Sequence, residues 1–107
     1  MSHYTAYLRG MNFRPESARL VAKQLVGGET LSLQREPSNI FDINAVQVID
    51  PVSGEFIGYV AKEIAADLAA EMDAGVQFTC IVDFAMNGIV TLDIAEIVEV
   101  VDETNSP

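Results

Sequence analysis

Tryptophan is absent, and cysteine and histidine occur once each, as Cys80 and His3. A single cysteine excludes an internal disulfide framework and any multi-cysteine zinc site. His3 has no Cys or His partner, which argues against a transition-metal centre. A Ser-His-Asp arrangement would have to recruit that same N-terminal histidine, and no nucleophile-elbow motif is present. Gly27-Gly28 lacks the Lys-Ser/Thr of a phosphate-binding loop. No apolar run reaches the roughly 20 residues of a membrane span. Met1-Ser2-His3-Tyr4 lacks the basic-then-apolar layout of a secretion signal. The expectation is a cytoplasmic protein with no membrane association, no cofactor and no bound metal. Among the carboxylates none is marked out as an acid/base pair; Asp42 with Asp50 or Asp83 could gather Mg²⁺, as nucleases do. With so little catalytic material, the chain reads as a non-enzyme.

Basic residues are scarce too, six against sixteen acidic, for a net charge of −10. That balance argues against a generic nucleic-acid binder. The distribution is uneven, however. Residues 1–35 hold Arg9, Arg14, Arg19, Lys23 and Arg35 against Glu16 and Glu29, a local net of +3. Residues 36–107 set Lys62 against fourteen acids, a local net of −13. Part of the surface can therefore be basic on an acidic body whose charge keeps it soluble.

What is present is a hydrophobic half of a 107-residue chain, enough for one domain with a modest core. The domain is expected over residues 1–101, with a flexible polar tail over 102–107. His3–Arg9 alternates as a first strand, and Gly10 frees the backbone after it. Pro15 suits a first helical turn, and Ala18, Val21, Ala22 and Leu25 follow at helical spacing, with Gly27-Gly28 as the stop. Strands are expected over Glu29–Arg35, Ala45–Ile49 and Phe56–Val60. A second helix is expected over Lys62–Met72, stopped by Gly75. Gln77–Met86 and Ile89–Val101 flank Asn87-Gly88, a strong type I′ hairpin signal. Cys80, within Phe78–Val82, reads as a small buried hydrophobe. Six short strands and two helices make a mainly β, α+β chain and suggest a small antiparallel barrel.

The most informative stretch is Arg35-Glu36-Pro37-Ser38-Asn39-Ile40-Phe41-Asp42-Ile43-Asn44-Ala45-Val46. It is longer than a turn requires and dense in residues that bond their own backbone. An aromatic flanked by hydrogen-bonding side chains, on a loop held by two strands, points to recognition. Sequence-tolerant binding of single-stranded nucleic acid needs aromatic faces for bases and a few cations for phosphates. Phe13, Phe41, Tyr59 and Phe84 are the aromatic candidates, with Arg14, Arg35 and Lys62 as cations. Taken alone, Phe13 is open between core and surface, Phe41 reads as exposed and Tyr59 as part buried. Strand packing favours a core position for Phe84. Arg35 and Glu36 are adjacent and could form an ion pair.

This stretch resembles the signature of the HIRAN domain, and the likeness continues through Gly54-Glu55-Phe56-Ile57-Gly58-Tyr59-Val60-Ala61-Lys62-Glu63-Ile64-Ala65. The resemblance implies an OB-like β-barrel with helices packed against it. It also implies binding of single-stranded DNA at a 3′ end, with a possible DNA-processing protein as partner. By the same resemblance, Phe13, Phe41 and Phe84 would stack bases. Asp42 and Asn39 would hold the terminal sugar, and Arg14 and Lys62 would meet phosphate. Asn12 stands where DNA-binding members carry Arg, and Tyr59 where some carry His. The alternative function is an acidic protein-interaction module or DNA mimic, built on Asp67, Glu71, Asp73, Asp83, Asp93, Glu96 and Glu99.

Overall fold

The computed structural model describes residues 1–98. Six strands close into one antiparallel barrel: β1 (His3–Arg9), β2 (Thr30–Arg35), β3 (Val46–Ile49), β4 (Phe56–Val60), β5 (Phe78–Met86) and β6 (Ile89–Glu96). Around the barrel they run β1-β4-β3-β2-β5-β6 and back to β1. A short 3₁₀ turn (Met11–Phe13) and helix α1 (Glu16–Lys23) follow β1, and helix α2 (Lys62–Asp73) follows β4. The strand and helix content agrees with the expected OB-like barrel.

Alternation decides what lies inside. Ala6 and Leu8, Leu31, Val46 and Val48, Ile57, Cys80 and Val82, and Val90, Leu92 and Ile94 supply the barrel's core. Their neighbours along each strand face outward because side chains alternate across a pleated strand. Helix α1 adds Ala18 and Ala22 to this core, and α2 adds Leu68 and Ala69. Burial pushes the Cys80 thiol up to about 12, with Asp93 adding to the effect, so it behaves as the inert apolar residue expected.

Two chain reversals are set locally. Asn87 and Gly88 both take positive φ (53° and 79°), as a type I′ hairpin requires. After α2, Gly75 adopts φ 97° while its amide bonds the Met72 carbonyl and the Val76 amide bonds the Glu71 carbonyl, a Schellman end. Helix α1 departs from expectation by ending at Lys23, with Gln24 as its cap, before the glycine pair. Those glycines dock the chain on β5 instead. The Gly28 amide bonds the Val82 carbonyl at 2.7 Å, and a Cβ on Gly27 would meet the Asp83 carbonyl at 3.2 Å.

Strand β6 also ends early, at Glu96, whose amide bonds the Ser2 carbonyl just before β1, while the Ile97 amide bonds the Gln77 carbonyl just before β5. The rest of the expected strand, Glu99–Val101, and the expected tail at 102–107 lie outside the described residues. Phe84 is the clearest reversal, being 45% exposed rather than in the core. A bulge between Val82 and Phe84 shifts β5 by one residue. The shift turns Phe84 outward, opposite Thr91, and brings Ala85 in against Val90. A one-residue slip moves every later side chain to the other face.

Gly58 sits where β4 crosses β1. A Cβ there would lie 2.5 Å from the Arg9 carbonyl oxygen and 2.9 Å from Leu8 Cδ1. Because the obstacle is backbone, it cannot swing aside. Gly58→Ala should destabilise the fold by about 1–3 kcal/mol, the usual range for overpacking, read as a lower midpoint in urea denaturation.

Candidate functional site

The β2–β3 connection, residues 36–45, folds its polar side chains back onto its own backbone. Asn39 is the hub: its Oδ1 accepts from the Phe41 amide (2.8 Å) and the Asp42 amide (3.0 Å). Asp42 Oδ1 accepts from the Asn44 amide at 2.9 Å, and the Asp42 carbonyl accepts from the Ala45 amide. With the polar groups turned inward, the apolar ones are left outside. Ile40 is 88% exposed, Phe41 87% and Ile43 71%.

Arg35, considered as a phosphate contact, is committed elsewhere. Its Nη1 donates to the Ala45 carbonyl at 2.5 Å and its Nη2 to the Ile43 carbonyl at 2.9 Å. Its Nε pairs with Asp73 at 2.9 Å, at the end of α2. The side chain is only 14% exposed and its partner Asp73 is 58% exposed. The ion pair is with Asp73 rather than Glu36, because neighbouring strand residues point to opposite faces.

Glu36 turns instead to Tyr59, whose hydroxyl donates to its carboxylate at 2.5 Å; Asn39 Nδ2 approaches both at 3.3 Å. That hydroxyl holds the Glu36 carboxyl below its usual range, against the opposing effect of burial. Burial foremost, and then Glu36, push the Tyr59 phenol up. Tyr59 stands edge-on to Phe56, with ring centres 5.0 Å apart at 90°. Arg14 lies over the Phe56 ring, 3.7 Å from its centre, and its Nε donates to the Phe56 carbonyl at 2.9 Å. A continuous chain of contacts thus ties the segment after β1 to the β2–β3 loop across β4.

Phe13 is placed by Gly10. The glycine takes φ 76°, its carbonyl accepts from the Phe13 amide, and the turn leaves Phe13 91% exposed. Phe13 and Phe41, from elements far apart in sequence, line one groove of about 770 Å³. Arg14, Asn39, Asp42, Tyr59 and Lys62 line it as well, so seven of the ten candidate residues meet in one place. Lys62, the first residue of α2, is exposed and forms no ion pair among the described residues.

Besides Arg35, two candidates lie apart. Asn12 faces the neighbouring depression beside Gly88 and Ile89, and Phe84 sits on the outer face of β5. Arg9 and Glu63 also line the groove without having been singled out. Arg9 was legible, since alternation turns the last residue of β1 outward just before Gly10. The role of Glu36 was not, because its partner Tyr59 is 23 residues away.

The carboxylates considered for Mg²⁺ do not converge. Asp42 caps Asn44, Asp50 accepts from Ser53, and Asp83 accepts from Thr91. Among the described residues no three His, Cys, Asp or Glu side chains gather. Four of the acids considered for mimicry have internal partners: Asp73 with Arg35, Asp93 with His3, Glu71 with Ser2 and Asp83 with Thr91. Glu99 lies outside the described residues.

A small OB-like barrel that presents one aromatic-edged groove defines a binding module rather than a scaffold alone. The HIRAN domain profile matches residues 2–105. The chain therefore belongs to the HIRAN domain family, as the motif resemblance implied. It is 42% identical over 65 residues to the rabbit (Oryctolagus cuniculus) helicase-like transcription factor, covering 60% of this chain and 6% of that protein. The crystal structure of the HIRAN domain of human HLTF aligns with TM-score 0.72 at 26% identity, over 89% of this chain and 74% of that one. The NMR structure of the HLTF HIRAN domain in its DNA-bound conformation aligns with TM-score 0.65 at 27% identity, over 90% and 75%.

The loop's construction has measurable consequences. Arg35→Met should leave the Ile43 carbonyl without its donor and the Ala45 carbonyl with the Glu36 amide alone, and cost about 1–3 kcal/mol. Asp73→Asn, altering only the exposed half of the pair, should cost less than about 1 kcal/mol. Glu36 has a depressed folded-state pKa, so its contribution is complete above its ordinary value of 4.5 and is lost as pH falls below it. Tyr59→Phe removes the largest cause of that shift. The variant should therefore be less stable than the parent at pH 7 and lose less stability between pH 5 and pH 3, measured by thermal denaturation across that range.

Proposed function

We propose that this domain is a non-catalytic module that binds single-stranded DNA and seats a 3′-hydroxyl end in the groove between Phe13 and Phe41. The observation that carries this reading is the pair of almost fully exposed phenylalanines lining one groove together with Asp42 and Lys62. Bases are flat and apolar on their faces, and stacking on such rings is worth about 1–3 kcal/mol per base. Lys62 and the Nη groups of Arg14 supply positive charge for phosphate.

Asp42 gives the site its preference among ends. One carboxylate oxygen is engaged by Asn44, and the other accepts a hydrogen bond from a terminal hydroxyl. A terminal phosphate near 4 Å would be repelled by about 1–4 kcal/mol, depending on local screening. Asn39 acts through Asp42 by fixing the loop backbone. The DNA-bound conformation of a related HIRAN domain supports this reading. The curated relative carries the matched region as a small part of a helicase-like transcription factor, which favours a DNA-processing protein as the domain's working partner.

Fluorescence anisotropy at low salt tests the reading, using labelled single strands ending in 3′-hydroxyl or 3′-phosphate and a blunt duplex. The 3′-hydroxyl strand should bind tightest. Phe41→Ala should weaken it by about 1–3 kcal/mol. Asp42→Asn keeps an acceptor for the Asn44 amide but removes the charge, so the preference for hydroxyl over phosphate should collapse. Equal binding of both ends by the parent would remove the end-recognition role. Absence of binding at low salt would remove nucleic acid as the ligand.

A further inference from the structure

A cleft between α1 and the β5–β6 hairpin joins apolar and cationic groups that nothing described so far uses. Its floor is made by the buried Ala22, Leu25 and Val90. Its lip is formed by Met86 and Ile89, paired across the hairpin and 58% and 51% exposed. The cleft encloses about 180 Å³. An apolar cavity of about 150 Å³ admits a benzene-sized group, so one bulky side chain fills it. Met11 and Met86 border that space, and their unbranched side chains adjust to the shape of what enters.

Arg19 and Lys23 border the same cleft, four residues apart on α1. That spacing puts them on one face of the helix. Both are exposed, and neither enters an ion pair among the described residues. The other basic residues are placed elsewhere: Arg35 holds the β2–β3 loop, and Arg9, Arg14 and Lys62 line the groove. Acids outnumber bases sixteen to six in the chain, yet among the described residues no acid lines the cleft. No aromatic ring lines it either, so it offers no face on which a base would stack. An apolar pocket with two cations at its rim is complementary to an apolar side chain flanked by carboxylates.

We infer that this cleft docks an acidic segment of a partner protein. One Leu, Ile or Phe side chain of that segment seats against Leu25 and Val90, and neighbouring Asp or Glu carboxylates meet Arg19 and Lys23. The net charge of −10 repels the same segment elsewhere on the surface, which confines it to the cationic rim. The cleft shares no lining residue with the Phe13–Phe41 groove. The segment therefore docks whether the groove is filled or empty, and the inference does not depend on what the groove binds.

Fluorescence anisotropy with labelled pools of ten-residue peptides tests the cleft. One pool carries Leu, Ile or Phe at its centre, Asp or Glu at two flanking positions and random residues elsewhere. Matched pools replace the anchor by Ser, the acids by Asn or Gln, or the acids by Lys. The acidic anchored pool should bind about tenfold or more tighter than the Ser pool and about threefold or more tighter than the amide pool. Arg19→Glu/Lys23→Glu should reverse the preference, from the acidic pool to the Lys pool. Such a gain requires a folded cleft, so loss of structure cannot imitate it. Met86→Ser/Ile89→Ser should cancel the advantage of the anchored pool over the Ser pool. Saturating 3′-hydroxyl oligo-dT should leave peptide binding unchanged. No binding by the acidic pool, or binding that Arg19→Glu/Lys23→Glu leaves unchanged, overturns the docking cleft. Displacement of the peptide by oligo-dT also overturns it, by placing the peptide in the groove. Binding of the acidic pool with no binding of oligo-dT leaves the cleft standing and removes the groove reading.

Discussion

The partly buried guanidinium of Arg35 is the contact on which the loop depends. A ten-residue connection with no strand or helix of its own has no ladder to hold it. Arg35 supplies the missing anchor by gripping two of its carbonyls and tying them to the end of α2 through Asp73. The rigid fork of arginine suits this, because several donors leave one planar group in fixed directions. Asn39 does the complementary work from within, collecting two backbone amides on one oxygen. Once both are in place, Phe41 has no inward route and its ring stands in solvent.

The opposite wall is built from a different chemistry. There the contacts are ring on ring and cation on ring: Arg14 over Phe56, Phe56 against Tyr59, and Tyr59 bonded to Glu36. Only the last of these is a charged hydrogen bond, and it is the one that responds to acid. The two walls therefore respond to different conditions. Protonating Glu36 loosens the link between them, while the Arg35 clamp is unaffected until the carboxylate of Asp73, also held below its usual range by Arg35, is itself protonated.

An acidic protein can still present a cationic route for nucleic acid if its few basic residues are placed rather than spread. Arg9, Arg14 and Lys62 all reach the groove, while Arg35 is spent on structure. Of the acids, several are held by internal partners at other points of the barrel and helices. The overall charge limits affinity and non-specific binding.

Much of this was legible in one dimension. Alternation placed the strands within a residue or two except at the end of β6, Asn87-Gly88 marked its hairpin, and the Arg35–Val46 motif pointed to the family and to Phe41 and Asp42. Those features are local: a period, a turn preference, a spacing. Local rules failed where a distant contact decided. Phe84 follows the core period until a bulge reverses it, and the glycine pair after α1 serves packing on β5 rather than helix termination. Arg35 chose Asp73, 38 residues on, over its neighbour Glu36. The sequence by itself determined which segments are strands, which are helices and which loop sets an aromatic among polar side chains. Only the tertiary structure decided which aromatics share a groove and which charges remain free to use it, because both depend on the register and closure of a barrel whose partners lie far apart in the chain.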